Sequence, residues 1–451
     1  MTTAVTRQSA GEPGRGRRVA RILRAATRLG WGLSDQALSS LTNFVLGVLV
    51  ARSFGVVDFG AFSLAFATYN VAAAAARAVS AQPLVVRSSG VPQAAWREAT
   101  GGAAGTALVL GIAVGAGCLG VAIVSVGPLQ GAFLGLGITL PGLLVQDLWR
   151  FALFADGRGR AAFCNDLVWA AVQFPALILV LAAGHATILW ATIAWGGGAV
   201  VAAVVGIAQT RVIPQPFAVR GFLRRHRVLA SRYLAEAGAY TVAGQFLIYA
   251  IGLVAGLEAV GEIRSAQLIL GPLNVVLQGL ILVAIPEAVR LLRNSTRRLR
   301  RLCAWAAAAL GSVTLLWTAF ILAVPEPAGR ALLRGAWPSA HALALPLGLS
   351  FAAVNVGAGA LIGLRALAAA GRNLRAAVVT SAIAFASGIA GAAAGGTAGA
   401  AWGLAVANTV GIFVWWWELG GGLREYVEPP AGEASAEPAP PTPGPRVIGG
   451  R

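Results

Sequence analysis

The chain of 451 residues contains no lysine; all 35 of its basic residues are arginine. The lysine of a nucleotide-binding phosphate loop and any Schiff-base mechanism are therefore excluded. Charge of either sign is scarce, with 12% of residues charged against 57% hydrophobic. The three cysteines, Cys118, Cys164 and Cys303, lie far apart in apolar stretches. No CxxC pair suggests a zinc site or a redox couple. The three histidines, His185, His226 and His341, never fall into HExxH or a comparable metal spacing. No cofactor, metal or catalytic group is expected. The net charge of +18 does not point to nucleic acid, because it is spread through short segments between apolar runs.

Those runs are what the sequence does have. A helical crossing of a bilayer needs about 20 apolar residues. Twelve stretches qualify, at approximately 31–52, 60–86, 101–126, 130–153, 162–183, 188–210, 233–256, 263–289, 303–324, 338–364, 376–394 and 398–419. The expected fold class is an all-α integral membrane protein of about twelve transmembrane helices.

Arginine placement sets the expected topology. Thirty arginines fall before the first span, after each even-numbered span or in the tail, and only Arg52, Arg264, Arg330 and Arg334 fall on the other side. Arg77 lies inside the second span. The positive-inside rule then places both termini in the cytoplasm of a cell-membrane protein. The first thirty residues lack the short apolar core and cleavage site of a signal peptide. Within 17–29, Val19, Ile22, Leu23, Ala26 and Leu29 share one helical face and five arginines the other. That pattern suits an interfacial helix on anionic inner-leaflet lipids, or a basic tail serving topology alone. The Pro- and Gly-rich tail should be disordered.

A weak internal repeat divides the chain. Gly55 and Gly60 recur as Gly256 and Gly261 at an offset of 201 residues, and Asn43-Phe44 recurs as Gln245-Phe246 at 202. Expected domains are a basic segment 1–30, an N-terminal lobe 31–210, a basic linker 211–232, a C-terminal lobe 233–420 and a tail 421–451. Two lobes of six spans share one orientation and enclose a cavity able to open to either side.

Polar residues within spans mark that cavity. An ionisable group in hydrocarbon costs roughly 2.5–3.5 kcal/mol on insertion scales. Arg77 follows five alanines in the second span, and Arg264 begins the eighth. Either is a guanidinium suited to phosphate, or half of an ion pair: Arg77 with Asp35, Arg264 with Glu262. Asp35 opens a wet stripe with Gln36, Ser39, Thr42 and Asn43, which lines the cavity, binds a coupling cation or is simply hydrated at the interface. Tyr240, Gln245 and Tyr249 on the seventh span and Gln267, Asn274 and Gln278 on the eighth suit a glycan lining or interhelical hydrogen bonds. Asp147, Asp166, Glu236 and Glu287, near cytoplasmic helix ends, are expected to pair with loop arginines.

The segment Asp35-Gln36-Ala37-Leu38-Ser39-Ser40-Leu41-Thr42-Asn43-Phe44, continued by Ala51-Arg52, Phe54-Gly55 and Phe59-Gly60-Ala61-Phe62, resembles the first helix pair of a known family. This is the polysaccharide-exporter (Wzx-type) branch of the multidrug/oligosaccharidyl-lipid/polysaccharide (MOP) superfamily. The resemblance is carried by residues 33–90 and by Gly256–Asn274. It implies a V-shaped, alternating-access flippase for undecaprenyl-diphosphate-linked oligosaccharide, serving surface polysaccharide synthesis. It also implies a setting beside glycosyltransferases and a polysaccharide polymerase, and cavity-facing arginines in the second and eighth helices, where Arg77 and Arg264 lie. Two rivals remain. A cation-coupled multidrug antiporter of the same fold would want deep acidic residues. A membrane-embedded glycosyltransferase or ligase would want a large outer loop or an acidic catalytic cluster; the longest outer loop, about 325–337, has only Glu326.

Overall fold

The computed structural model describes residues 13–426 except 185 and 239–242, and the side chains of 13–29, 243, 273–278 and 282 lie outside the description. Among the described residues the chain is helical throughout, with no strand. Ten helices are long and apolar enough to cross a membrane, and two of these are broken at glycine. The result is a multi-pass membrane protein whose spanning helices are labelled α1 to α12.

α1 (Pro13–Ser53), α2 (Val56–Ser88), α3 (Gln93–Val124), α4 (Gly127–Ala155), α5 (Gly159–Ala182) and α6 (Ile188–Thr210) form the first group. The helix Ala243–Leu292 breaks at Gly256 into α7 (243–255) and α8 (257–292). α9 (Thr296–Ala323) and α10 (Ala344–Ala366) follow. The helix Ala370–Glu425 breaks at Gly395 and Gly396 into α11 (370–394) and α12 (397–425). Gly256 and Gly396 have φ of 88° and 58°, a region closed to most side chains. That is why each apolar run of some fifty residues folds into two crossings.

Within the first group, α4 packs on α3 and α6. The glycines after Trp195 make this possible: a Cβ on Gly196 would meet Thr139 Oγ1 of α4 at 2.1 Å, and one on Gly198 would meet Trp169 Cδ1 of α5 at 2.9 Å. Phe62, Phe66, Tyr69 and Trp195 fill the space between α2 and α6, with ring centroids 5.3–6.3 Å apart. In the second group α10 packs against α9 and the α11–α12 pair. Between the groups runs the linker. Its strand-like start passes over α3, where Gln215 N–H donates to Gly101 C=O (2.9 Å). A Cβ on Gly105 would lie 2.1 Å from Gln215 C=O. A helix, Val219–Ala237, then buries Phe222, His226 and Ala230. These recur every fourth residue, one face of a helix, and that helix sits against the C-terminal end of α2 and against α3. It extends past residue 232, the linker end expected from the sequence.

The two groups meet through α2 and the α7–α8 pair. A Cβ on Gly60 would fall 2.0 Å from Leu257 C=O, and one on Gly261 would fall 2.0 Å from Val56 C=O. These are reciprocal contacts: Val56 and Leu257, like Gly60 and Gly261, are 201 residues apart. The helices thus cross backbone to backbone about an approximate two-fold axis. Contact continues to Thr68 and Tyr249, which share a hydrogen bond. The short helices Glu326–Leu333 and Trp337–Ala342 lie at this same end, against α1 and the α7–α8 pair respectively. The groups therefore touch at the arginine-poor end of the molecule. The expected interfacial face of 17–29 and the tail 427–451 lie outside the described side chains and residues; the backbone from Pro13 runs unbroken into α1.

Candidate functional site

Two adjoining cavities lie beside the α2–α8 crossing, the second directly against it at Phe59 and Arg264, and Asn43 and Phe66 line both. The first, about 240 Å³, sits inside the α1–α6 group. The second, about 350 Å³, lies between α1, α2 and α8.

Arg77 enters the first cavity from a π-helical turn, Arg77–Ala81. The turn has a local cause. Pro83 has no N–H to give and its ring crowds the carbonyl four residues back, so the preceding turn widens. Gln82 N–H accordingly reaches Arg77 C=O, five residues away. The guanidinium donates from Nε to Asp147 Oδ2 and from Nη2 to Asp147 Oδ1, both at 2.7 Å. It also lies over Phe151, 5.6 Å from the ring centroid. Asp147 is buried while the Arg77 side chain keeps 37% of its surface exposed, so the pair borders open space.

The ion pair weighed for Arg77 with Asp35 is not formed. Asp35 is fully buried, and its Oδ2 accepts from Arg150 Nε at 2.5 Å. Arg150 lies also 3.6 Å from Asp166, which accepts a hydrogen bond from Gln146 at 2.7 Å. Asp35 Oδ1 is buried without a partner. Asp147 and Asp166, expected to pair with loop arginines, meet Arg77 and Arg150 respectively and line this cavity with them, while Asp35 lies buried behind Arg150. Three aspartates face two arginines, one formal negative charge in excess. The available signal was on α4: Gln146, Asp147 and Arg150 crowd into a single turn of an apolar helix.

The second cavity has the opposite character. Arg264 of α8 donates from Nη1 to Gln267 Oε1 (3.1 Å) and from Nη2 to Gln245 Oε1 (3.2 Å). Its Nε is buried and unpartnered. Among the described residues no carboxylate, Glu262 included, lies within ion-pair distance of it. Gln245 and Gln267 thus hold the guanidinium through neutral carbonyl oxygens and leave its charge uncompensated. Tyr249 donates to Leu64 C=O (3.3 Å) and contacts Thr68, so it belongs to the contact between the helix groups. Tyr240 lies outside the described residues, as do the side chains of Asn274 and Gln278. Among the described residues no cluster of His, Cys, Asp and Glu fit for a metal occurs.

Two groups of six helices joined by a linker are the arrangement that solved transporter structures share with this chain, and the likeness is one of fold. No protein-family model and no curated protein matches the sequence. Solved structures match over nearly the whole chain. An inward-facing multidrug-resistance MATE transporter of the MOP superfamily aligns with TM-score 0.68 at 14% identity, covering 87% of this chain and 96% of its own. The lipid II flippase MurJ in an inward closed conformation gives 0.62 at 12% identity, covering 88% and 89%. An outward-facing MATE transporter gives 0.54 at 15%, covering 90% and 96%.

Proposed function

We propose that this chain is an alternating-access flippase that carries a lipid-linked oligosaccharide from the cytoplasmic to the outer leaflet. The observation that carries the reading is Arg264. An unpaired guanidinium within a bilayer span costs roughly 2.5–3.5 kcal/mol on insertion scales and is retained where it meets a ligand. A diphosphate supplies the missing charge, and the planar donor fork matches its oxygens. Arg77 has its charge already answered by Asp147, so the diphosphate role passes chiefly to Arg264.

The arginine-rich face is taken as cytoplasmic. The helix groups touch at the opposite end, so the cavities load from the cytoplasmic side. The chain makes and breaks no bond; its two lobes rock about the α2–α8 crossing. The excess carboxylate beside the first cavity, with the buried Asp35 oxygen behind Arg150, supports entry of a coupling cation or proton there. The same excess supports the second reading, a cation-coupled multidrug antiporter, in which that cavity takes cationic drugs.

Binding in lipid nanodiscs separates the two. Wild-type protein should bind undecaprenyl diphosphate, and Arg264→Gln should weaken it about tenfold or more, the range for loss of a charge-assisted contact. If Arg264→Gln bound this lipid as wild type does, while ethidium bound wild type and was lost in Asp166→Asn, the antiporter would replace the flippase.

A further inference from the structure

Of the glycan residues expected on α7 and α8, the three with described side chains are engaged elsewhere: Gln245 and Gln267 hold Arg264, and Tyr249 joins the helix groups. A lipid-linked saccharide can draw on further polar groups in the second helix group. A third cavity, about 370 Å³, lies within the second helix group between α8, α10, α11 and α12. Its size falls in the range of small-ligand sites.

Its chemistry differs from both cavities already described. Among the described residues no carboxylate lines it. Asn355 on α10 donates Nδ2–H to Thr314 Oγ1 (3.0 Å), and Asn408 on α12 donates Nδ2–H to Ser350 Oγ (2.7 Å). Both amides are thereby held in one orientation, and both line the cavity. Thr380 and Ser381 supply hydroxyls from α11, and Trp415 supplies an aromatic wall from α12. Gly357 makes room for that wall; a Cβ there would press within 3.2 Å of Trp415 Cδ1. Along α10 the lining runs from Ala353 to Arg365, about 18 Å at the helical rise of 1.5 Å per residue. The cavity is thus long and narrow. Arg365, exposed in the last turn of α10, stands at its arginine-rich end.

Fixed amides, hydroxyls and an indole face, with the Arg365 charge confined to one end, match the alternating hydroxyls and apolar faces of pyranose rings. We propose that this cavity is the saccharide site, receiving the sugar chain while Arg264 holds the diphosphate. The inference rests on the flippase reading. Charge and sugar are then read by different helices, and the second helix group decides which glycan is carried.

The test compares four lipids in nanodiscs: bare undecaprenyl diphosphate, and the same lipid bearing a trisaccharide of neutral hexoses, of N-acetylhexosamines, or containing a uronate. At least one glycosylated lipid should bind wild type about tenfold tighter than the bare one, the equivalent of about 1.4 kcal/mol. Asn408→Val and Trp415→Leu, checked for folding by thermal shift, should lose that gain and keep the bare-lipid affinity. Arg264→Gln should weaken all four. Equal binding of all four lipids by wild type, or variants that weaken bare and glycosylated lipid alike, would overturn the saccharide site and leave the diphosphate reading standing. Binding of none by wild type would overturn both.

Discussion

Asp147 accepts the Arg77 guanidinium on both of its oxygens, and it does so from a buried position. Removing one member of such a pair leaves the other without an answer in a medium that solvates it poorly. Because Arg77 is more than a third exposed, the full buried-pair penalty does not apply. Asp147→Asn should lower stability by about 2 kcal/mol, the scale of a lost charged hydrogen bond. Arg77→Gln made in the same chain should restore part of it. Thermal unfolding of the two single variants and the double variant measures this coupling, and additive losses would contradict it. Neither the pair nor the Asp35–Arg150–Asp166 cluster was legible at this scale. Arg77 and Asp147 are 70 residues apart, and helical periodicity tells which face a residue occupies but not which neighbour that face meets. Arg264 was legible as an intramembrane charge, but its lack of a carboxylate partner was not.

The elements carry the next consequence. α2 and α8 cross so closely at Gly60 and Gly261 that a methyl group on either would lie 2.0 Å from a carbonyl oxygen. No rotamer relieves that clash, because a Cβ position is fixed by the backbone. Overpacking of this kind costs about 1–3 kcal/mol, enough to shift a two-state equilibrium by roughly five- to a hundredfold or more. Gly60→Ala and Gly261→Ala should therefore favour the conformation in which the lobes part at this end. Spin labels at Val57 and Glu258, both exposed, in a chain with its three cysteines replaced, should report a longer distance in either variant. An unchanged distance distribution would refute the role of the crossing. The repeat that pairs these glycines was visible in the sequence, as were the helix breaks near 256 and 395. α6 runs over 188–210 as expected. Glycine announces itself because its conformational freedom is local; the linker helix, which reaches Ala237, could not be bounded because its capping depends on what it packs against.

At the scale of the whole molecule, topology and motion follow from charge and contact. Thirty arginines on one side against four on the other predict that both ends of the chain face the cytoplasm. In a cysteine-free background, Arg330→Cys should react with an impermeant maleimide added to intact cells. Arg424→Cys should react only after permeabilisation. The reverse pattern would invert the orientation and with it the direction of loading. Residues 330 and 424 are exposed, so failure to react reports the membrane rather than burial.

Hydropathy and the positions of arginine determined, without coordinates, that this is a membrane protein of about twelve helices, and they set out an expected orientation. Those properties sum over many residues, each contributing independently to transfer into lipid, so no knowledge of neighbours is needed. Only the tertiary structure decided which charges are spent on one another and which stay open to a ligand. That choice depends on the rotation of each helix against its partners, and it separates Arg77, answered by Asp147, from Arg264, held by two glutamines and unanswered.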